Sequence, residues 1–187
     1  MRNIMVPLAV LLSNLLVGCS KGGWPTDSGV ENGGVFSAGY RYIAVETLAL
    51  SIDSTVRLMS ISTTDMDTEG RAASWGYTFV ASLQPHTEYH FSATSGGVRF
   101  DSISTEMRCG AGRISKPWIG SYTATKIAES QGGTAFRRDN PNCSIHASLG
   151  EAVVPNSSPF WHFRYRSRLD PDKHLWISVD ASATVDR

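Results

Sequence analysis

The sequence predicts an α+β fold built from two tandem units, each a helix packed on an antiparallel sheet of three to four strands. The main observation is an internal repeat, because residues 74–92 align without gaps with residues 160–178, at an offset of 86 residues. Both segments alternate apolar and polar side chains on either side of a proline-containing turn, which is typical of a half-buried antiparallel hairpin. A helix candidate precedes each hairpin, and helices segregated from antiparallel hairpins indicate an α+β fold.

The two copies of the repeat share residues as well as a pattern. Four identities relate them: Trp75, Leu83, Pro85 and Ser92 recur as Trp161, Leu169, Pro171 and Ser178. An alternating aromatic stripe is what a small sheet buries. We therefore expect six aromatic side chains to face the core: Trp75, Tyr77, Phe79, Trp161, Phe163 and Tyr165.

The elements follow the same order in both units. The first unit covers residues 38–105, with a helix over 38–53 and a strand over 55–63 before its hairpin. The second covers residues 106–187, with a helix over 121–139 and a strand over 144–149. Glycine disfavours helix, so Gly132 and Gly133 are expected to break the second helix.

The N-terminus has the layout of an export signal. Arg2 supplies a positive charge, and residues 4–17 form an apolar run that is shorter than the roughly 20 residues of a membrane-spanning helix. Residues 16–19, Leu-Val-Gly-Cys, resemble the lipobox of bacterial lipoproteins. The resemblance implies a lipoprotein signal peptide over residues 1–18, although an ordinary secretory signal that leaves Cys19 as a plain thiol is the alternative.

Lipidation of Cys19 would anchor the mature protein to a membrane of the bacterial cell envelope, since acyl chains such as palmitate hold a chain at the bilayer. Ser20 follows the cysteine, where an Asp would favour inner-membrane retention, so the outer membrane is expected in a Gram-negative source. The glycine-rich residues 19–37 comprise the lipidated cysteine and a flexible tether.

The remaining cysteines, Cys109 and Cys143, form an even pair in an exported chain. Disulfides persist in oxidising compartments, so we expect these two residues to be bonded to each other. The alternative is a reactive thiol, although neither cysteine lies in a Cys-x-x-Cys motif.

The C-terminal segments resemble the PepSY domain. Residues 160–165, Phe-Trp-His-Phe-Arg-Tyr, followed after a turn by residues 175–185, are similar to its closing strands, and residues 124–138 are similar to the helix of PepSY-like bacterial lipoproteins. Ala183 and Thr184 depart from the Thr-Gly that is usual there. The resemblance implies tandem PepSY-like domains in a non-catalytic lipoprotein that binds an envelope protein, with modulation of a peptidase as the associated role.

Motifs for catalysis are not found, because the chain lacks a nucleophile elbow, a phosphate-binding glycine loop and a zinc-protease motif. No enzyme activity and no cofactor are therefore expected. Asp65, Asp67 and Glu69 are spaced as the first ligands of a calcium loop, but Gly76 occupies the position of the bidentate Glu. A polar connection between strands explains the same residues.

Charge differs between the two units although the chain is neutral. Residues 38–105 hold 4 Lys or Arg and 7 Asp or Glu, whereas residues 106–187 hold 11 and 8. Four cationic or titratable residues alternate along one strand of the second unit: His162, Arg164, Arg166 and Arg168. This basic strand face predicts binding of an envelope glycan or another anionic polymer, as the alternative to a protein-binding function, while a solvated outer face is the simpler interpretation. Nucleic acid is not expected as a partner of an exported, neutral chain.

Overall fold

The computed structural model describes residues 31–81, 87–105, 113–114, 117–151 and 158–182. The predicted signal peptide, Cys19, the first part of the tether and Cys109 lie outside the described residues. Within the described ranges, no helix is long and apolar enough to cross a membrane.

The described elements are mainly strands. In chain order they are β1 (Glu31–Asn32), β2 (Val35–Ser37), α1 (Tyr42–Ile52), β3 (Arg57–Thr63), β4 (Arg71–Ala72), β5 (Ser74–Val80), β6 (Glu88–Thr94), β7 (Gly97–Ser104), α2 (Ser121–Ala128), a π-helical segment (Glu129–Gly133), α3 (Thr134–Asp139), β8 (Cys143–Glu151), β9 (Pro159–Ser167) and β10 (His174–Asp180).

The predicted fold class is wrong. Among the described residues, seven strands form one antiparallel sheet in the order β10-β9-β8-β3-β5-β6-β7, and β1, β2 and β4 form a second, small sheet. The fold is therefore mostly β, and two separate sheets of three to four strands are not formed. The first strand of each predicted unit would have left an unpaired edge, and these edges pair with each other, for example Ile61 with Leu149.

The local elements were predicted better than their assembly. Strands lie at both predicted hairpins, and helices lie within both predicted helical ranges. β3, β5 and β6 follow one another in the sheet as β8, β9 and β10 do, on either side of the β3–β8 pairing. Two features were not predicted: β7, which extends one edge of the sheet, and the small sheet.

The predicted tether extends too far. Residues 31–37 were included in it, but β1 and β2 form a hairpin in which Asn32 pairs with Val35. Gly33 and Gly34 have φ angles of 60° and 85°, so this tight two-residue turn uses the left-handed conformation that glycine adopts at no steric cost. Phe36 follows and is fully buried, which makes the end of the predicted tether part of the folded core.

The core lies between the sheet and the helices. All six aromatic residues of the predicted stripes are buried, which confirms their orientation. α1 packs on β6 and β7, and α2 packs on β9 and β10, so the helices cover the same apolar face of the sheet. The indole Nε1 of Trp75 donates a hydrogen bond to the Phe36 carbonyl, and that of Trp161 donates to the Ile119 carbonyl, both at 2.8 Å.

The second helix is broken where its glycines predicted. Gly132 has a φ of 129°, outside the helical region, and lies in the π-helical segment between α2 and α3. Glu129 links the π-helical segment to α3 and β9, because its carboxylate accepts hydrogen bonds from Thr134, Arg137 and Tyr165 at 2.7 to 3.1 Å. The prediction of a broken helix is confirmed.

Candidate functional site

The face of the sheet opposite the helices is polar. We call the part of this face formed by β8, β9 and β10 the outer face. Alternation along each strand explains it, since every second residue of β9 is buried and the residues between are half-buried. Strand register places the following side chains side by side: Ser144, His146 and Ser148 of β8, Arg166, Arg164 and His162 of β9, and His174, Trp176 and Ser178 of β10.

Two guanidinium groups at the centre of the outer face lack an anionic partner. Among the residues that the structure describes, neither Arg164 nor Arg166 forms an ion pair or a hydrogen bond through its side chain, and Nε of Arg164 is buried without an acceptor. The Arg164 guanidinium lies over the Trp176 ring, 5.2 Å from its centroid. Both arginines are therefore available to an anion from outside the chain.

Two histidines of the outer face, His146 and His162, contribute little positive charge at neutral pH. Burial lowers the pKa of His146, and the neighbouring charges of Arg164 and Arg166 lower it further, while Asp65 acts in the opposite direction. Burial also lowers the pKa of His162, whose Nδ1 lies 2.9 Å from the Ser178 hydroxyl. The positive charge beside these two histidines thus comes from Arg164 and Arg166.

Arg168 does not join the other predicted binding residues. It follows the end of β9, and its guanidinium contacts the Asp65 carboxylate at 3.3 Å. The structure therefore brings together His162, Arg164 and Arg166 on one face and places Arg168 beside the acidic loop.

The three carboxylates predicted to bind calcium form ion pairs with arginines. Asp67 accepts hydrogen bonds from the backbone of Glu69 and from the backbone and side chain of Arg71, each at 2.9 Å. Glu69 also pairs with Arg71, at 3.1 Å, while Asp65 pairs with Arg168. The three carboxylates do not converge, and within the described ranges no group of three acidic, histidine or cysteine residues could hold a metal ion.

A shallow depression of about 370 Å³ lies beside the outer face, on β3 and β5. Its floor includes Ser62 and Gly76, which pair with each other across the two strands. Because Gly76 has no side chain, the sheet surface is open there. Ser62 also pairs with Ser148 of β8, so the polar surface continues from the depression to the arginines.

Cys143 is half-buried at the start of β8, and burial raises the pKa of its thiol. A raised pKa lowers the fraction of reactive thiolate. The predicted disulfide partner, Cys109, is not among the described residues, so the Cys109–Cys143 bond stays a prediction.

Trp176 is the residue of this surface that the sequence analysis missed. Its side chain is 60% exposed, although tryptophan is a large apolar residue. The signal was present, because Leu175, Ile177 and Val179 form the apolar positions of β10 and Trp176 falls between them. In an alternating strand, an aromatic residue at a polar position faces away from the core.

The outer face thus combines two guanidinium groups that have no anionic partner among the described residues, an exposed indole and several hydroxyl groups. This set of groups can bind an anion and an apolar ring surface at once. Comparison with known proteins finds no protein-family model that matches the chain, and no match among curated proteins or among solved structures.

Proposed function

We propose that the protein is a lipid-anchored, non-catalytic binding module of the bacterial cell envelope, and that its outer face holds an anionic envelope polymer. The observation that carries the proposal is the pair Arg164 and Arg166, whose guanidinium groups have no anionic or hydrogen-bonding partner among the described residues. They are two positions apart on β9 and so lie on the same side of the strand.

Electrostatics favours an anionic ligand at this surface. Two like charges on neighbouring same-side positions repel each other, and an anion between them would relieve that repulsion. Among the described residues, no carboxylate forms an ion pair with either guanidinium group. The excess of cations over anions in residues 106–187 has the same sign. A long anionic polymer binds such a patch more tightly than a single anion does, because several charges of one polymer chain are held near the patch at once.

Charge reversal tests the proposal. The full chain, purified in a non-ionic detergent, is assayed for polyanion binding by isothermal titration at low and at physiological salt. Arg164→Glu combined with Arg166→Glu should weaken binding at least tenfold, since two attractive contacts become repulsive. The matched control, Arg99→Glu with Arg138→Glu, changes the net charge equally at two exposed arginines that already pair with Asp101 and Asp139. Equal losses in both double variants, or no binding of polyanions by the unmodified chain, would contradict the proposal.

The anchor is tested separately. Metabolic labelling with a palmitate analogue should mark the unmodified chain and not Cys19→Ala. Cys143→Ser is the control, because it removes a thiol of the folded domain and should leave labelling unchanged. Equal labelling of Cys19→Ala would remove the anchor from the proposed function and leave the binding surface unaffected.

A protein partner, such as a peptidase, is the second candidate. The observation that favours it is the position of β10 at an edge of the seven-stranded sheet, where backbone groups can pair with an added peptide strand. Pull-down from detergent-solubilised envelope with the full chain is the test. Repeated recovery of no specific protein would count against this function.

A further inference from the structure

We infer that the anionic ligand of the outer face is an acidic polysaccharide, in which Trp176 stacks against a sugar ring while Arg164 and Arg166 bind the carboxylate groups. This inference rests on the proposed function and names the chemical class of its ligand. It assigns a role to the exposed indole of Trp176, because binding of an anion by the two arginines does not account for that exposure.

Trp176 has the geometry of a stacking platform. Its indole is 60% exposed on the polar outer face, and the Arg164 guanidinium lies over the ring at 5.2 Å from the centroid. Such a pair holds the ring in place and leaves much of its apolar surface in water. The C–H groups on one face of a sugar ring form an apolar patch that can pack against the apolar face of an aromatic ring.

Hydroxyl groups lie on the same face as the indole. Ser178 is two positions from Trp176 on β10, Ser144 is opposite Arg166 and Ser148 is opposite His162, and each serine is part-exposed or exposed. A serine hydroxyl donates one hydrogen bond and accepts others, which matches the hydroxyl groups of sugars. Small side chains also let a ligand approach the sheet closely. Gly150 illustrates this open surface, because a Cβ at this position would meet no atom within 4 Å.

The polar surface is long enough for an oligosaccharide. It crosses the strands from Trp176 on β10 through β9 and β8 to Ser62 on β3. Strands in a sheet are about 4.8 Å apart, so three steps cover about 14 Å, or roughly three sugar rings. The depression at Ser62 and Gly76 continues this path onto β5.

An acidic protein segment fits the outer face less well. Protein interfaces are anchored by apolar or aromatic side chains that fill pockets. Around the arginines, the described outer face offers hydroxyl and imidazole groups on a flat surface, and its large exposed apolar group is Trp176. A ligand that presents flat rings and hydroxyl groups uses more of these features than a peptide does.

The test compares a carboxylated sugar polymer with a carboxylated peptide polymer. Binding of the full chain to polygalacturonate, to poly-L-glutamate of similar length and to neutral dextran is measured by isothermal titration. Trp176→Ala should weaken binding of polygalacturonate about tenfold, the effect of one lost aromatic contact, and leave binding of poly-L-glutamate within about twofold. Trp176→Tyr should restore most of the polygalacturonate affinity.

The control variant is Leu169→Ala, which shortens a side chain that is 79% exposed in the connection between β9 and β10 and should change neither affinity. Equal affinities for the two polyanions, or equal effects of Trp176→Ala on both, would overturn the inference that the ligand is a polysaccharide. The proposed anion-binding function would stay intact. A chain that binds neither polyanion would overturn both.

Discussion

The indole rings of Trp75 and Trp161 meet edge to face, with centroids 6.0 Å apart and planes inclined by 75°. The two residues hold equivalent positions in the internal repeat, and both are fully buried. Trp118 adds a third ring, 6.1 Å from Trp161. The aromatic stripes of the two copies are therefore in direct contact within one core.

This contact predicts that both copies of the repeat unfold together. Trp161→Ala should lower the free energy of unfolding by about 3 to 5 kcal/mol, because it opens a large cavity beside Trp75 and Trp118. Urea unfolding followed by circular dichroism and by fluorescence should give coincident single transitions. Trp176→Ala is the matched control and should change stability by less than about 0.5 kcal/mol, since its side chain is exposed. Two separate transitions would contradict a shared core.

Glu129 is expected to stabilise the fold at neutral pH and not in acid. Burial alone would raise its pKa, but hydrogen bonds from Arg137, Thr134 and Tyr165 outweigh burial, and the pKa lies below its usual 4.5. A lowered pKa stabilises the folded state above pH 4.5, and this contribution is lost as the pH falls through the folded-state value. Glu129→Ala should cost about 1 to 3 kcal/mol at pH 7. Urea titrations should show the difference shrinking in acid, and an unchanged cost at pH 3 would refute the assignment.

Glu46 is expected to show the opposite pH dependence. This buried carboxyl accepts a hydrogen bond from the Tyr42 hydroxyl at 3.0 Å, and burial raises its pKa above the usual 4.5. A raised pKa stabilises the fold below pH 4.5, and the contribution is lost as the pH rises. Glu46→Gln keeps an acceptor for Tyr42 and should therefore be more stable than the unmodified chain at pH 8 and similar to it at pH 4. Greater stability of the variant only in acid would disprove this explanation.

Gly133 is expected to be intolerant of a methyl group. A Cβ at this position would lie 2.5 Å from the Tyr165 hydroxyl oxygen and 3.1 Å from the Ala128 carbonyl oxygen. Gly133→Ala should lower the free energy of unfolding by about 1 to 3 kcal/mol, because Tyr165 must move away from Glu129. Gly150→Ala, where the added carbon meets no neighbour, is the control in the same denaturation assay. Similar losses in both variants would argue against the steric explanation.

Local features of the fold could be predicted because they depend on neighbours in the chain. Alternation over residues 74–80 and 160–167 marks strands with one buried face, and Gly132 marks a helix break. The Gly33–Gly34 turn was read as a tether because glycine-rich segments without apolar periodicity favour flexible coil. Burial of the Phe36 side chain, and the hydrogen bond that its carbonyl accepts from Trp75, outweigh that preference.

The candidate site was predicted in part. His162, Arg164 and Arg166 share a face because side chains alternate along a strand, which a sequence pattern reveals. The neighbours of Arg164 on β8 and β10 depend on strand register, which the sequence does not display. The same register, together with the turn that follows β9, pairs Arg168 with Asp65 and leaves Trp176 exposed.

The sequence by itself determined the internal repeat, the buried aromatic stripes, the broken second helix and the basic strand, because each depends on the spacing of residues along a short segment. Tertiary structure decided that β3 and β8 pair and so join both hairpins in one sheet. Within the part of the chain that the structure describes, it also decided that Arg164 and Arg166 lack an anionic partner while Arg168 has one. Pairing between distant strands satisfies backbone hydrogen bonds and buries apolar surface across the whole chain, so its outcome depends on which edges and faces meet in space.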